Sequence, residues 1–236
     1  MRKIDKRGEP TQLRQWVRDN AATPDNLVYQ GGGFPIEAVR RALVEEQFYL
    51  CAYTMKRLPR SPFRADTAWS YGQSCHVEHF LPQSKYRDGK DIEYGNMLAC
   101  FPPSRDQCHC EFGAQHKANL DPNQSPIVNP LRDSPDEHLR FRQTGEVEGI
   151  TALGHNTIAV LNLNHPQLRE ERCRVINGSL RPRGKPISAS QAEHLAQQLS
   201  TPQDGELSVH CAAIAQVLRQ YAAKARARAM RINKEK

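Results

Sequence analysis

The sequence predicts an α+β fold: a small core of two strands and a helix set in a mainly helical frame. Three observations predict it. Residues 75–81 and 96–101 are short segments, each stopped by proline (Pro82; Pro102 and Pro103), and read as strands. Apolar residues recur every three or four positions at Ile36, Val39 and Leu43, and again at Leu207, Cys211, Ile214, Leu218 and Tyr221, which is helical spacing on either side of the strands. Pro122, Pro126, Pro130 and Pro135 make residues 121–136 a linker or a pinned excursion rather than a regular element.

Taken in order, residues 1–50 form an N-terminal helical region. Its first part is polar and closes on Gly31, Gly32 and Gly33, a flexible joint, and Pro35 suits the first position of a helix running to about Tyr49. Residues 51–120 form the core. Its second strand is followed by a turn with two cysteines, Cys108 and Cys110, then by a short helix over 111–120 that places His116 and Asn119 on one face. Residues 121–236 form a mainly helical C-terminal region with a basic tail. There, a hairpin is expected around Gly145, a helix from Asn164 and Pro166, and a last helix over about 208–228. The apolar stripe at 207–221 suits core packing or docking on another subunit.

The bulk numbers set limits. The chain has 236 residues, a net charge of +7 and a mean hydropathy of −0.71. A positive balance favours a polyanionic partner, because Lys and Arg displace counterions condensed on phosphates. No run approaches the ~18 apolar residues of a membrane span, and the charged start has no hydrophobic stretch behind it, so a cytoplasmic location is expected. Seven cysteines without a secretory signal argue against a disulfide framework. No Gly-x-x-x-x-Gly-Lys-Ser/Thr sequence is present, so ATP chemistry would belong to a partner.

The chemistry concentrates in His76-Val77-Glu78-His79-Phe80-Leu81-Pro82, Asn96 and His116-Lys117-Ala118-Asn119. Phosphodiester hydrolysis needs an activated water and positive charge on the phosphate. Glu78 is a hard oxygen ligand suited to Mg²⁺ or Mn²⁺. His79 can take a proton from water near neutral pH. Alternation along a strand sends the two side chains to opposite faces. His76 shares the face of Glu78 and is a further ligand or a phosphate contact. Asn96 either orients His79 or pins the loop between the strands. His116 and Asn119 are candidate metal ligands, and Lys85 and Lys117 are available for phosphate. A zinc-protease reading fails because the helical His-Glu-x-x-His spacing is missing.

This set of motifs resembles the HNH endonucleases, whose fold is the ββα-metal core. The likeness is closest to PtuB-type subunits of the Septu and retron-associated anti-phage systems. Leu50-Cys51-Ala52-Tyr53-Thr54-Met55, Cys75-His76-Val77-Glu78-His79-Phe80, Asn96-Met97-Leu98-Ala99-Cys100 and Leu161-Asn162-Leu163-Asn164-His165 carry it. The resemblance implies Glu78 as the metal-binding acid, His79 as general base, Asn96 as the middle asparagine and His116 as the third motif residue, with His109 and Asn119 as competitors. It implies a catalytic Mg²⁺ or Mn²⁺, an ABC-type ATPase partner of the PtuA kind, and a possible reverse transcriptase and noncoding-RNA complex where the module is attached to a retron. Many relatives also hold structural zinc on two Cys-x-x-Cys pairs. Here Thr54 interrupts the first pair and the second reads Cys108-His109-Cys110, leaving Cys51, Cys100, Cys108 and Cys110 as candidate ligands.

The leading expectation is a metal-dependent nuclease acting on DNA, with the same chemistry on RNA such as tRNA as the alternative. A non-catalytic zinc-ribbon-like binding module is a separate reading. It would bind zinc tightly and cut nothing.

Overall fold

A computed structural model describes residues 1–60, 74–103 and 109–234, with side chains as far as 232. The fold is α+β and mainly helical, with two small antiparallel two-stranded sheets. The elements are α1 (Thr11–Asp19), α2 (Ile36–Glu46), β1 (His76–His79), β2 (Met97–Cys100), α3 (Ala114–Lys117), α4 (Pro135–His138), β3 (Leu139–Phe141), β4 (Val147–Gly149), α5 (Ala152–Val160), α6 (Pro166–Leu180), α7 (Ala189–Gln198) and α8 (Cys211–Lys234).

The first helix is amphipathic and short, burying Leu13 and Trp16. The glycine joint after it is packed rather than loose. Trp16 Nε1 donates to the Gly32 carbonyl at 2.9 Å, and a Cβ on Gly31 would lie 2.5 Å from the Asn26 carbonyl oxygen. Pro35 is the N-cap of α2, which buries Val39, Leu43, Val44 and Glu46. The helix stops at Glu46, short of Tyr49, because Phe48 and Tyr49 both take positive φ (53° and 60°). At that end Glu46 accepts from Lys6 Nζ at 2.7 Å and from the Arg7 backbone N–H at 3.1 Å, which ties the N-terminal segment down.

β1 pairs with β2 in the register His76 with Cys100, Val77 with Ala99, Glu78 with Leu98 and His79 with Met97. All four β2 residues are buried. A two-stranded sheet leaves two open backbone edges, and in each sheet a glutamine side chain covers one of them. Gln47 donates to the Ala99 carbonyl and accepts from the Ala99 N–H, both at 2.8 Å. Gln216 of α8 accepts from the Phe141 N–H at 2.6 Å and donates to the Leu139 carbonyl at 3.1 Å. The two amides thus act as surrogate strand residues, tying β2 to the end of α2 and β3 to α8.

Residues 121–134 are irregular but pinned. Ile127 and Val128 are buried, the Ile4 N–H reaches the Pro130 carbonyl, and Thr157 Oγ1 accepts from the Val128 N–H at 2.8 Å. The β3–β4 hairpin turns at Gly145 (φ 80°), where a Cβ would meet the Arg169 carbonyl oxygen at 2.0 Å. Arg172 of α6 is buried and donates to the carbonyls of Gly145 (2.6 Å) and Leu163 (2.7 Å). The stripe Leu207, Cys211, Ile214 and Leu218 is buried within the molecule, where α8 packs on α7, α6 and β3. It therefore serves the core and is not a free docking face. No helix among the described residues is long and apolar enough to cross a membrane.

Candidate active site

The β1–β2 hairpin and the single turn of α3 position the motif residues. Strand alternation separates Glu78 from His79, as the sequence requires. Glu78 turns toward Tyr53 and Lys117. Lys117 Nζ lies 2.8 Å from Glu78 Oε1, and the Tyr53 hydroxyl donates to the same oxygen at 3.3 Å. The Lys117 side chain is fully buried and that of Glu78 is 11% exposed. Lys117 Nζ also donates to the His79 carbonyl at 3.1 Å, so one ammonium joins α3 to β1. Burial raises the Glu78 pKa, and the opposing pull of Lys117 does not cancel it. The carboxylate remains short of positive charge even with its lysine in place.

His79 turns the other way and is buried. Its Nε2 lies 2.8 Å from the Asp91 carbonyl oxygen, and its ring meets Tyr29 edge-on with centroids 4.6 Å apart. A carbonyl only accepts, so Nε2 carries the proton and Nδ1 keeps the lone pair. Burial pushes the imidazole pKa down, which keeps the ring neutral at physiological pH. A neutral ring of fixed tautomer is what a general base needs. Asp91 does further work: its Oδ2 accepts from the Tyr29 N–H at 2.9 Å, holding the aromatic ring against His79. The sequence reading missed Asp91 and Tyr29, since nothing local in the sequence connects position 29 to position 79.

Asn96 pins the loop and does not touch the His79 ring. Its Oδ1 accepts from the Leu81 N–H at 2.8 Å, and its Nδ2 donates to the carbonyls of Leu81 and Lys90, both at 3.0 Å. The buried amide thereby fixes where the chain leaves β1.

His76 and His116 share one arrangement. His76 Nδ1 lies 2.7 Å from the Pro102 carbonyl oxygen, and His116 Nδ1 lies 2.8 Å from that of Val160. Each Nδ1 must donate, leaving Nε2 with a lone pair, the tautomer that metal-ligating histidines adopt. Asn119 differs from the expectation. The helix ends at Lys117 and Ala118 takes φ 49°, so Asn119 leaves the face of His116. Lys85 is partly exposed, 3.3 Å from Gln124 Oε1 and 3.9 Å from Asp121. Lys117 is the inner partner of Glu78 and does not lie at the surface.

Among the described residues no three His, Cys, Asp or Glu side chains converge as a ready metal cage. The cysteines divide in two. Cys51 and Cys100 are buried and hydrogen-bonded to each other; burial alone would raise both thiols, but that bond and those from Thr54 and the Phe101 N–H pull Cys51 down. Cys110 lies in a separate cluster with Phe112 and Leu168. Cys108 lies outside the described residues.

The hairpin, the following turn of helix and the Glu-His pair define a small α+β site with a charge-demanding carboxylate beside a neutral, oriented imidazole. No family model matches the chain. It is distantly homologous to the Septu protein PtuB of Bacillus thuringiensis, at 28% identity over 126 residues, covering 53% of this chain and 41% of that protein. The chain thus matches less than half the length of this curated relative.

Proposed function

We propose that this chain is a metal-dependent HNH endonuclease, built on a ββα-metal core, that serves as the nuclease subunit of an anti-phage defence complex with an ABC-type ATPase of the PtuA kind. The distant homology to a Septu PtuB supports the defence role. The observation that carries the chemistry is the opposed Glu78–His79 pair on β1: an under-neutralised buried carboxylate on one face, and an imidazole held in one tautomer on the other.

In this reading His79 Nδ1 takes a proton from water as the water oxygen attacks phosphorus and the ester oxygen departs. Asp91 and Tyr29 hold the ring, and Asn96 holds the loop that carries Asp91. Glu78 and His116 would hold Mg²⁺ or Mn²⁺, with His76 as a further donor. The donor chemistry fits, since a carboxylate oxygen and imidazole Nε2 lone pairs suit these ions. Such an ion supplies charge neutralisation at the phosphate and leaving oxygens. Lys85 would meet substrate phosphate from the rim.

The test compares wild type with His79→Ala, together with the ATPase and Mg²⁺ or Mn²⁺, on DNA and on total RNA. Intact folding with cleavage reduced by about 10²–10⁴-fold is expected. Equal cleavage by both proteins would remove His79 as the base, and a cyclic-phosphate product on RNA would contradict attack by water.

A further inference from the structure

The outer half of α8 is unlike the rest of the molecule. Up to Ala222 the helix is core: Cys211, Ala213, Ile214, Ala215, Val217, Leu218 and Ala222 are buried. From Ala223 to Ile232 every residue is exposed except Ala225, which is half-buried. These outer turns, carried on to Lys234, project by about 18 Å at the helical rise per residue. The whole of α8 contains no Asp or Glu, while its outer part carries Lys224, Arg226, Arg228, Arg231 and Lys234. A helix with that charge and few apolar contacts gains little from standing alone in water.

The cations are sorted by face. Arg226 is paired with Glu193 of α7. Lys224, Arg228 and Arg231 follow the i, i+4, i+7 spacing of one helix face and line one hollow with Tyr221 and Ile232. None of the three has an acidic partner among the described residues. Alanines at 223, 225, 227 and 229 keep the helix slender, so a chain of phosphates can approach its backbone closely.

We propose that this stripe grips the phosphodiester backbone of the nucleic acid that the nuclease cuts, by charge and without reading sequence. The proposal rests on the nuclease reading for what happens after binding, and its test does not depend on cleavage. Full-length protein carrying His79→Ala, in EDTA, is titrated onto labelled duplex DNA, single-stranded DNA and structured RNA by fluorescence anisotropy, from 50 to 200 mM salt. A second protein adds Lys224→Gln, Arg228→Gln and Arg231→Gln, which retain helix propensity. Three phosphate contacts give a log–log salt slope smaller by about 2.7 on duplex and about 2 on single strands in the triple variant, with at least tenfold weaker binding at low salt. Arg226→Gln, whose side chain is held by Glu193, changes affinity by less than about twofold.

The duplex and single-strand arms show which backbone the stripe prefers. Unchanged affinity and slope in the triple variant would overturn the proposal. So would loss of ATPase co-purification with nucleic-acid binding intact, which would assign the stripe to a protein partner. Salt-dependent binding through the stripe in a protein that never cuts would uphold the proposal and sink the nuclease reading.

Discussion

Two of the carboxylates held by lysines, Glu171 and Glu78, shift in opposite directions although burial pushes both upward. Glu171 on α6 lies 2.5 Å from Lys56 and 3.6 Å from His210, and its side chain is 25% exposed. Hydrogen bonds from His210 and Lys56 outweigh its burial and hold its pKa down to about 2. Glu78 lies 2.8 Å from Lys117 and is less than half as exposed, and its pKa is raised. The first is a satisfied ion pair of the kind that stabilises a fold. The second leaves a carboxylate whose burial exceeds the compensation around it. That imbalance makes Glu78, rather than Glu171, the candidate for chemistry under the proposed function.

Glu78→Gln is expected to reduce Mg²⁺-dependent cleavage by at least about 100-fold and also to destabilise the fold by about 3–5 kcal/mol, because it leaves the fully buried Lys117 ammonium without its carboxylate. Glu171→Gln should instead keep cleavage while lowering stability by about 2 kcal/mol at neutral pH, discounted for its partial exposure. Denaturant melts and initial rates on the same preparations separate the two.

Next in size, Lys117→Met leaves Glu78 buried without a cation and should destabilise by about 3–5 kcal/mol. Adding Glu78→Gln should recover most of that loss, since the cost belongs to the unpaired charge. No recovery would mean that the lysine acts mainly through the His79 carbonyl.

The pH dependence sharpens the contrast further. Glu171 has a lowered folded pKa, so its stabilisation is complete above the unfolded value of about 4.5 and is lost as pH falls toward about 2. His210, which burial keeps neutral, adds to the loss as pH falls below about 6.5. The stability gap between wild type and Glu171→Gln should therefore narrow steadily from pH 5 to pH 2.5. Asn96→Ala, which frees the Leu81 and Lys90 groups, should cost about 1–3 kcal/mol. The smallest effect is expected at Lys85→Ala, within about 0.5 kcal/mol in stability, because the side chain is largely solvated.

The strand that carries Glu78 and His79 was more legible in the sequence than the helical frame. Glu78, His79 and Asn96 lie on or beside short strands with proline stops, so strand alternation alone gave their opposed directions. The β3–β4 hairpin followed from Gly145, and α6 from Pro166. The helices α1 and α5 went unread because their apolar content is sparse or unsorted: α1 buries only Leu13 and Trp16, and α5 has residues such as Leu153 and Ile158 spread around it. α7 carried a usable signal, since Ser188 and Gln191 form a capping box. Long-range pairings were beyond reach. Nothing near Lys117 announces a carboxylate on a strand far earlier in the chain, and so the lysine read as a phosphate contact. Gln47 and Gln216 likewise look like ordinary surface amides until the open sheet edges are seen.

The most direct test of the account is a Mn²⁺ titration, read by the loss of the free-ion electron paramagnetic resonance signal, of wild type, Glu78→Gln and Glu171→Gln. One Mn²⁺ site is expected in wild type and in Glu171→Gln, and none in Glu78→Gln. Equal binding by all three proteins, or loss of the site in Glu171→Gln alone, would contradict it.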